Sequence, residues 1–277
     1  MEVLKRILNF YLNSSIHVAL AVYALTWVTL IQFELDYDEN VLYFAFFATI
    51  TGYNFVKYFG VAKFHHRSLA RWLKVIQIFS FIAFIAMGYY AFQLEMKTLL
   101  LLSIFGLITF LYAMPLIPMR YFRDSQKNLR EIGGLKVYVI AIVWTFTTVL
   151  LPLIDNEISL NTDVVITCVQ RFVFVIVLML PFEIRDLNYD SLKLATIPQK
   201  IGIKNTKIIG ILLLMVFFVL EYFKDELTGN SVLVTLIVLF VTLLFVIFSN
   251  KKQSKYYSAF WVESVPMVWL IILLMLY

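Results

Sequence analysis

Residues 162–190 read TDVVITCVQRFVFVIVLMLPFEIRDLNYD: a polar start, an apolar run interrupted by one charge at Arg171, and a polar end from Glu183 to Asp190. A helix crossing about 30 Å of hydrocarbon takes roughly 17–25 residues, and this run supplies them. Its apolar residues are continuous rather than alternating, which excludes the strand of a transmembrane barrel. The same pattern recurs along the chain. Helices are predicted at about 14–33, 41–60, 72–93, 98–117, 135–154, 162–182, 207–223, 231–249 and 259–277. The fold class is therefore an all-α membrane protein of about nine transmembrane helices.

Composition agrees. With 62% hydrophobic and 15% charged residues in 277, the chain is too apolar for one soluble core. Its mean hydropathy of +0.86 points the same way. The formal charge of +5 sits in short loops between apolar runs, so it marks topology and not a nucleic-acid surface; no nucleic-acid partner is expected. Cys168 is the one cysteine and lies inside an apolar run, which leaves no disulfide framework and no thiolate metal cluster. Residues 1–33 begin with Lys5 and Arg6 and run into an apolar stretch as a secretory signal does. No small-residue cleavage site follows, so this segment is expected to remain as the first membrane helix.

Charge orients the bundle. Basic residues occupy the N-terminal tail and the loops after the second, fourth, sixth and eighth helices, for example Lys63, Arg67 and Arg71, or Lys251, Lys252 and Lys255. The intervening loops are acidic, as at Glu34, Asp36, Asp38 and Glu39, with Lys97 and Lys224 the exceptions. Lys and Arg are retained on the cytoplasmic side, which predicts the N-terminus inside and the C-terminus outside. The expected location is a bacterial inner (cytoplasmic) membrane, multi-pass. With no Pro/Gly-rich linker or low-complexity segment, residues 1–277 are read as a single integral membrane domain.

The residues most suited to chemistry lie at the end of the quoted stretch. Asp186 and Asp190 are four apart, so on a helix both carboxylates project from one face. Two acidic oxygens near water suit a Mg²⁺ that also holds a diphosphate, whereas the bland alternative is a solvated helix end. Arg171 and Glu263 are ionisable groups inside predicted spans, where charge is costly and faces a cavity or a partner. For Arg171, a place in a cavity wall and a structural bond to backbone carbonyls both remain open. His17 and Asn13 fit packing or capping. Adjacent His65 and His66 point apart on a helix and make a poor metal pair.

The string Arg185-Asp186-Leu187-Asn188-Tyr189-Asp190, followed by Thr196-Ile197-Pro198, resembles the second aspartate motif of the UbiA superfamily of intramembrane prenyltransferases. Leu111-Tyr112-Ala113-Met114-Pro115-Leu116, leading to Arg120 and Arg123, is similar to that family's LYxxP element. Asn54 stands where its first motif, NxxxDxxxD, would begin. The resemblance implies a UbiA-like bundle in which two such motifs face one another and hold Mg²⁺ ions on a polyprenyl diphosphate. It assigns Asp186 and Asp190 to the metal, Asn54, Lys57, Arg185 and Lys193 to the diphosphate, and Tyr58, Tyr112, Glu183 and Arg171 to the cavity wall.

One departure bears on mechanism. Counting from Asn54, the expected aspartates are Tyr58 and Ala62, and residues 57–71 hold no acidic residue. A metal Lewis acid contributes several kcal/mol to ionising a diphosphate, and about 1.36 kcal/mol is tenfold in rate. Lys57, Lys63 and Arg67 could bind diphosphate oxygens in the metal's place, or merely be a cytoplasmic loop's basic residues. Two functions follow: a divergent prenyltransferase binding an isoprenoid diphosphate or related lipid, or an inactive relative serving as a lipid-binding or scaffolding subunit beside a membrane protein partner. A transporter fits less well, since prolines sit mainly at helix ends.

Overall fold

A computed structural model describes residues 2–64, 71–113, 134–187 and 196–276, with the backbone alone for 59–64, 71, 108 and 111–113. All regular structure among the described residues is helical. In chain order the helices are α1 Glu2–Asn13, α2 Ile16–Gln32, α3 Glu39–Phe64, α4 Arg71–Ala91, α5 Met96–Ala113, α6 Leu135–Thr145, α7 Leu151–Asp155, α8 Thr162–Asp186, α9 Ile197–Glu221, α10 Gly229–Phe248 and α11 Val265–Leu276. π-helical turns at Phe146–Leu150 and Tyr257–Val262 join α6 to α7 and lead into α11.

The apolar runs become rods because no water is available in hydrocarbon to satisfy the backbone. α2 packs on α3 and α11, α3 on α4, α8 on α6 and α9, and α10 on α9 and α11. Phe174, Phe217 and Trp269 meet where α8, α9 and α11 converge, with ring centroids 5.2–5.8 Å apart. At Gly210 a Cβ would come within 2.8 Å of Leu180 Cδ1 and 3.2 Å of Val246 Cγ1, so the absent side chain lets α9 approach α8 and α10. Outward faces remain apolar: Ile78, Phe81, Ile82 and Ile85 of α4 are all exposed. Such a surface is covered by lipid.

Six helices among the described residues are long and apolar enough to cross a membrane, or seven if α1 and α2 form one bent span. The predicted nine is not reached by that measure. α5, for example, offers only Met96–Leu107 as a shorter apolar helix. The predicted helix 14–33 is preceded by α1, a separate element bent 55° from α2. α1 has no buried residue: Val3, Leu4 and Ile7 are exposed beside Lys5 and Arg6, the composition of a helix lying along a membrane surface.

Two further boundaries differ from expectation. The helix predicted at 207–223 begins at Ile197, and Gly202 breaks it with φ 78° and ψ 162°. Lysines 200, 204 and 207 hid this start from a hydropathy reading, and glycine supplies the positive φ at the break. The span predicted at 259–277 starts inside the second π-helical turn, which shifts the register of everything before Val265.

Candidate functional site

The elbow between α1 and α2 organises one end of the bundle. Ser15 sits in the left-handed region at φ 64°, and its hydroxyl donates to Asn54 Oδ1 at 2.8 Å. Asn54 Nδ2 donates to Ser14 O at 2.9 Å and to the Ser80 hydroxyl at 2.8 Å. Lys57 Nζ, one turn further along α3, donates to the Ser15 hydroxyl at 2.9 Å. α3 is thereby fixed to the elbow and to α4, with Lys57 at the edge of a large internal space.

That space is a chamber of about 1540 Å³. Ligand pockets for drug-sized molecules run at roughly 300–1,000 Å³, so it has room for a long chain or for two molecules. Its walls are apolar and aromatic: Val22 of α2, Phe44 of α3, Leu102 and Phe105 of α5, Trp144 of α6 and Leu178 of α8. Phe105 stacks on Phe146 with centroids 3.6 Å apart, and Trp144 Nε1 donates to the Tyr53 hydroxyl at 2.8 Å. The first π-helical turn brings Phe146 and Thr147 to the chamber beside Val139, Ile140 and Val143.

At the elbow end the lining changes character. Lys57, Lys136, Arg185, Lys251, Lys252 and Lys255 reach it, with Asp186 and Glu263 as the acidic groups. Contacts hold these together. Arg185 gives Asp186 Oδ1 a forked contact, Nε at 2.8 Å and Nη2 at 2.7 Å, while its Nη1 donates to the Ser258 hydroxyl at 2.8 Å. Lys136 Nζ, at the start of α6, lies 3.8 Å from Asp186 Oδ2 and 3.6 Å from Glu183 Oε1. Lys255 Nζ donates to Asn9 Oδ1 at 2.9 Å, tying the α10–α11 loop to α1. Gln253 Nε2 donates to Pro181 O at 2.7 Å, which seats the same loop on the end of α8.

Of the residues singled out in the sequence, Lys57, Arg185 and Asp186 come together in this lining, with Glu183 buried behind Lys136. Asn54 does not line the chamber; it is buried and spends its amide on the elbow. Tyr58 also lies outside the lining and donates to Asn13 O at 2.8 Å. Arg171 is elsewhere as well. It is 1% exposed, donates from Nη1 to Leu25 O at 2.9 Å and from Nη2 to Thr29 Oγ1 at 3.2 Å, and lies 5.2 Å from the centre of the Trp269 ring. Its backbone bond is the structural alternative foreseen for it. Asp190, Lys193 and the side chain of Tyr112 lie outside the described residues, as do His65 and His66.

Among the described residues, the donors do not fit a divalent cation as they stand. Both oxygens of Asp186 face cations, and no group of three His, Cys, Asp or Glu residues able to hold a metal occurs among the described residues. Mg²⁺ prefers near-octahedral oxygen ligation, and forked Arg–carboxylate pairs are among the strong polar contacts. The positions where the resemblance implies aspartates are Tyr58 and Ala62 and supply no further carboxylate.

Sequence reasoning missed Lys136, which reads as the second residue of an ordinary apolar run; the preceding Gly133-Gly134 was the available hint of a special entry. It took Lys251, Lys252 and Lys255 for topology alone. His17 is a core residue, stacked on Phe260 and bonded between the Tyr11 hydroxyl at 2.7 Å and Phe260 O at 2.9 Å.

No family model matches the chain, and no curated protein matches it in sequence. Solved structures do match. The apo structure of a UbiA homolog from Aeropyrum pernix K1 superposes with a TM-score of 0.65 at 14% identity, over 94% of this chain and 98% of that one. A digeranylgeranylglyceryl phosphate synthase superposes with a TM-score of 0.57 at 16% identity, over 99% of this chain and 97% of that one.

Proposed function

With the fold of these UbiA-type proteins as premise, we propose that the chain binds an isoprenoid diphosphate, or a lipid of the same shape, and transfers its prenyl group to an acceptor. One observation carries the reading: an apolar, aromatic chamber of about 1540 Å³ ends in a lining where, among the described residues, lysines and arginine outnumber Asp186 and Glu263. A prenyl tail gains by leaving water for such walls, and a phosphorylated head gains by charge-assisted bonds at their polar end. The synthase among the structural neighbours is named for digeranylgeranylglyceryl phosphate, a phosphorylated lipid with prenyl chains, which is consistent with the reading.

In the transfer step the bond between the allylic carbon and the diphosphate oxygen breaks, and its electron pair leaves with the diphosphate. Lys57, Lys136 and Arg185 stand where the leaving charge would grow, so they stabilise it electrostatically. The faces of Phe105 and Trp144 suit the allylic cation. An acceptor nucleophile forms the new bond to carbon and then releases a proton.

A second reading keeps the binding and drops the transfer. It is favoured by Tyr58, whose hydroxyl bonds Asn13 O where the resemblance implies a metal-binding aspartate. Turnover separates the two. The native chain, given farnesyl diphosphate and a membrane extract as the source of acceptor, is expected to release diphosphate. Release only after the double substitution Tyr58→Asp with Ala62→Asp would make it a lapsed enzyme. No thermal stabilisation by a non-hydrolysable farnesyl diphosphate analogue would defeat both readings.

A further inference from the structure

We infer that this chamber grips the phosphorylated head directly through side-chain cations, with no divalent metal bridging protein and ligand. The inference rests on the reading of the chamber as an isoprenoid-diphosphate site and concerns how that site recognises its ligand.

Charge is the first support. Lys57, Lys136, Arg185, Lys252 and Lys255 reach the lining among the described residues, beside Asp186 and Glu263 and with Glu183 behind Lys136. A diphosphate monoester near neutral pH is a polyanion, and a lining of this sign attracts it. A free divalent cation is repelled by the same lining.

The partners of the cations are the second support. Lys57 rests on the Ser15 hydroxyl and Lys255 on the amide oxygen of Asn9, so neither contact neutralises the ammonium charge. Arg185 has one guanidinium nitrogen on the neutral Ser258 hydroxyl. Asp186 and Glu183, by contrast, already face cations: Asp186 the fork of Arg185 and Glu183 the ammonium of Lys136. Making Asp186 a metal ligand would require breaking its fork, whereas engaging a phosphate oxygen with Lys57 or Lys255 exchanges one neutral acceptor for a charged one.

Geometry is the third. The cations come from α3, α6, α8 and the α10–α11 loop, so an anion at this end is met from several sides. Asn54 donates to Ser14 O and ties α3 to the elbow, Gln253 donates to Pro181 O and ties the loop to α8, and Asn9 accepts from Lys255 and ties the loop to α1.

Isothermal titration of the full chain in nanodiscs with farnesyl thiodiphosphate tests this, once in EDTA and once in Mg²⁺. The expected result is an affinity in EDTA within about twofold of that in Mg²⁺, falling by about one-hundredfold in EDTA for Lys57→Met combined with Lys255→Met. Binding that is lost in EDTA and present in Mg²⁺ overturns the inference and leaves the chamber reading standing. So does binding in EDTA that the double variant leaves intact while its melting temperature is unchanged. An absence of binding in both buffers overturns the chamber reading, and this inference with it.

Discussion

Lys136→Glu is expected to weaken binding of a prenyl diphosphate by on the order of 1,000-fold, the largest effect of any single change in the chamber. The substitution removes a cation that lies 3.6 Å from Glu183 and 3.8 Å from Asp186 and puts a carboxylate beside those two. A charge-assisted bond contributes about 1.5–3 kcal/mol, and reversing the sign adds a repulsion of similar size. Lys136→Met removes the attraction alone and is expected to cost about tenfold to one-hundredfold. Titration calorimetry on both variants, with melting temperatures measured on the same samples, separates lost affinity from lost fold. Equal affinity in all three proteins would place the head elsewhere.

Arg171→Ala is expected to destabilise the folded chain by about 3–5 kcal/mol while leaving the chamber's ligand contacts untouched. Arg171 is among the largest fully buried side chains, and its guanidinium joins α8 to α2 through Leu25 O and Thr29. The Thr29 hydroxyl in turn donates to Thr148 O at 2.6 Å, which fastens the π-helical turn after α6 to the same node. Truncation leaves a void against the Trp269 ring and loosens three elements at once. Arg171→Lys is expected to recover only part of the loss, since one ammonium cannot reproduce the planar fork. The check is the detergent-solubilised melting temperature, read beside ligand affinity per folded molecule. A stable Arg171→Ala protein with weakened affinity would assign Arg171 to the chamber after all.

The two arginines of α8 show how far sequence reaches. Arg171 stands out because charge inside an apolar run is expensive and therefore informative, and Arg185 through the motif it belongs to. The sequence puts Arg171 in the middle of the helix predicted at 162–182 and Arg185 just past its end, but does not say what each meets. Arg185 reaches the polar end of the chamber through its position one turn beyond Pro181, and Arg171, in mid-span, turns to backbone and ring partners on other helices. The apolar runs were legible because hydrocarbon imposes length and continuity. The elbow at Ser14 and Ser15, the break at Gly202 and the π-helical turns were not, because each depends on a local backbone angle or on hydrogen bonds from distant residues.

Asp186 illustrates the same limit. On a helix its spacing from Asp190 predicts a shared face, but that spacing says nothing of Lys136, which arrives from 50 residues earlier and lies beside the second oxygen. Asn54 was picked out as a diphosphate ligand from its place in a pattern. Its hydrogen bonds to Ser14, Ser15 and Ser80 make it the pin of the elbow. Tertiary partners decide whether a polar side chain is a ligand or a brace, and a linear pattern does not display them.

The decisive measurement is photolabelling with a farnesyl diphosphate analogue that carries a diazirine at the far end of its tail, followed by mapping of the labelled peptides. Label is expected on the chamber walls, at Val22, Phe44, Leu102 or Phe105, and is expected to vanish when unlabelled farnesyl thiodiphosphate competes. Label confined to outward faces such as Phe81 and Ile85 of α4, unaffected by competitor, would show the tail in bulk lipid and contradict a ligand held within the bundle.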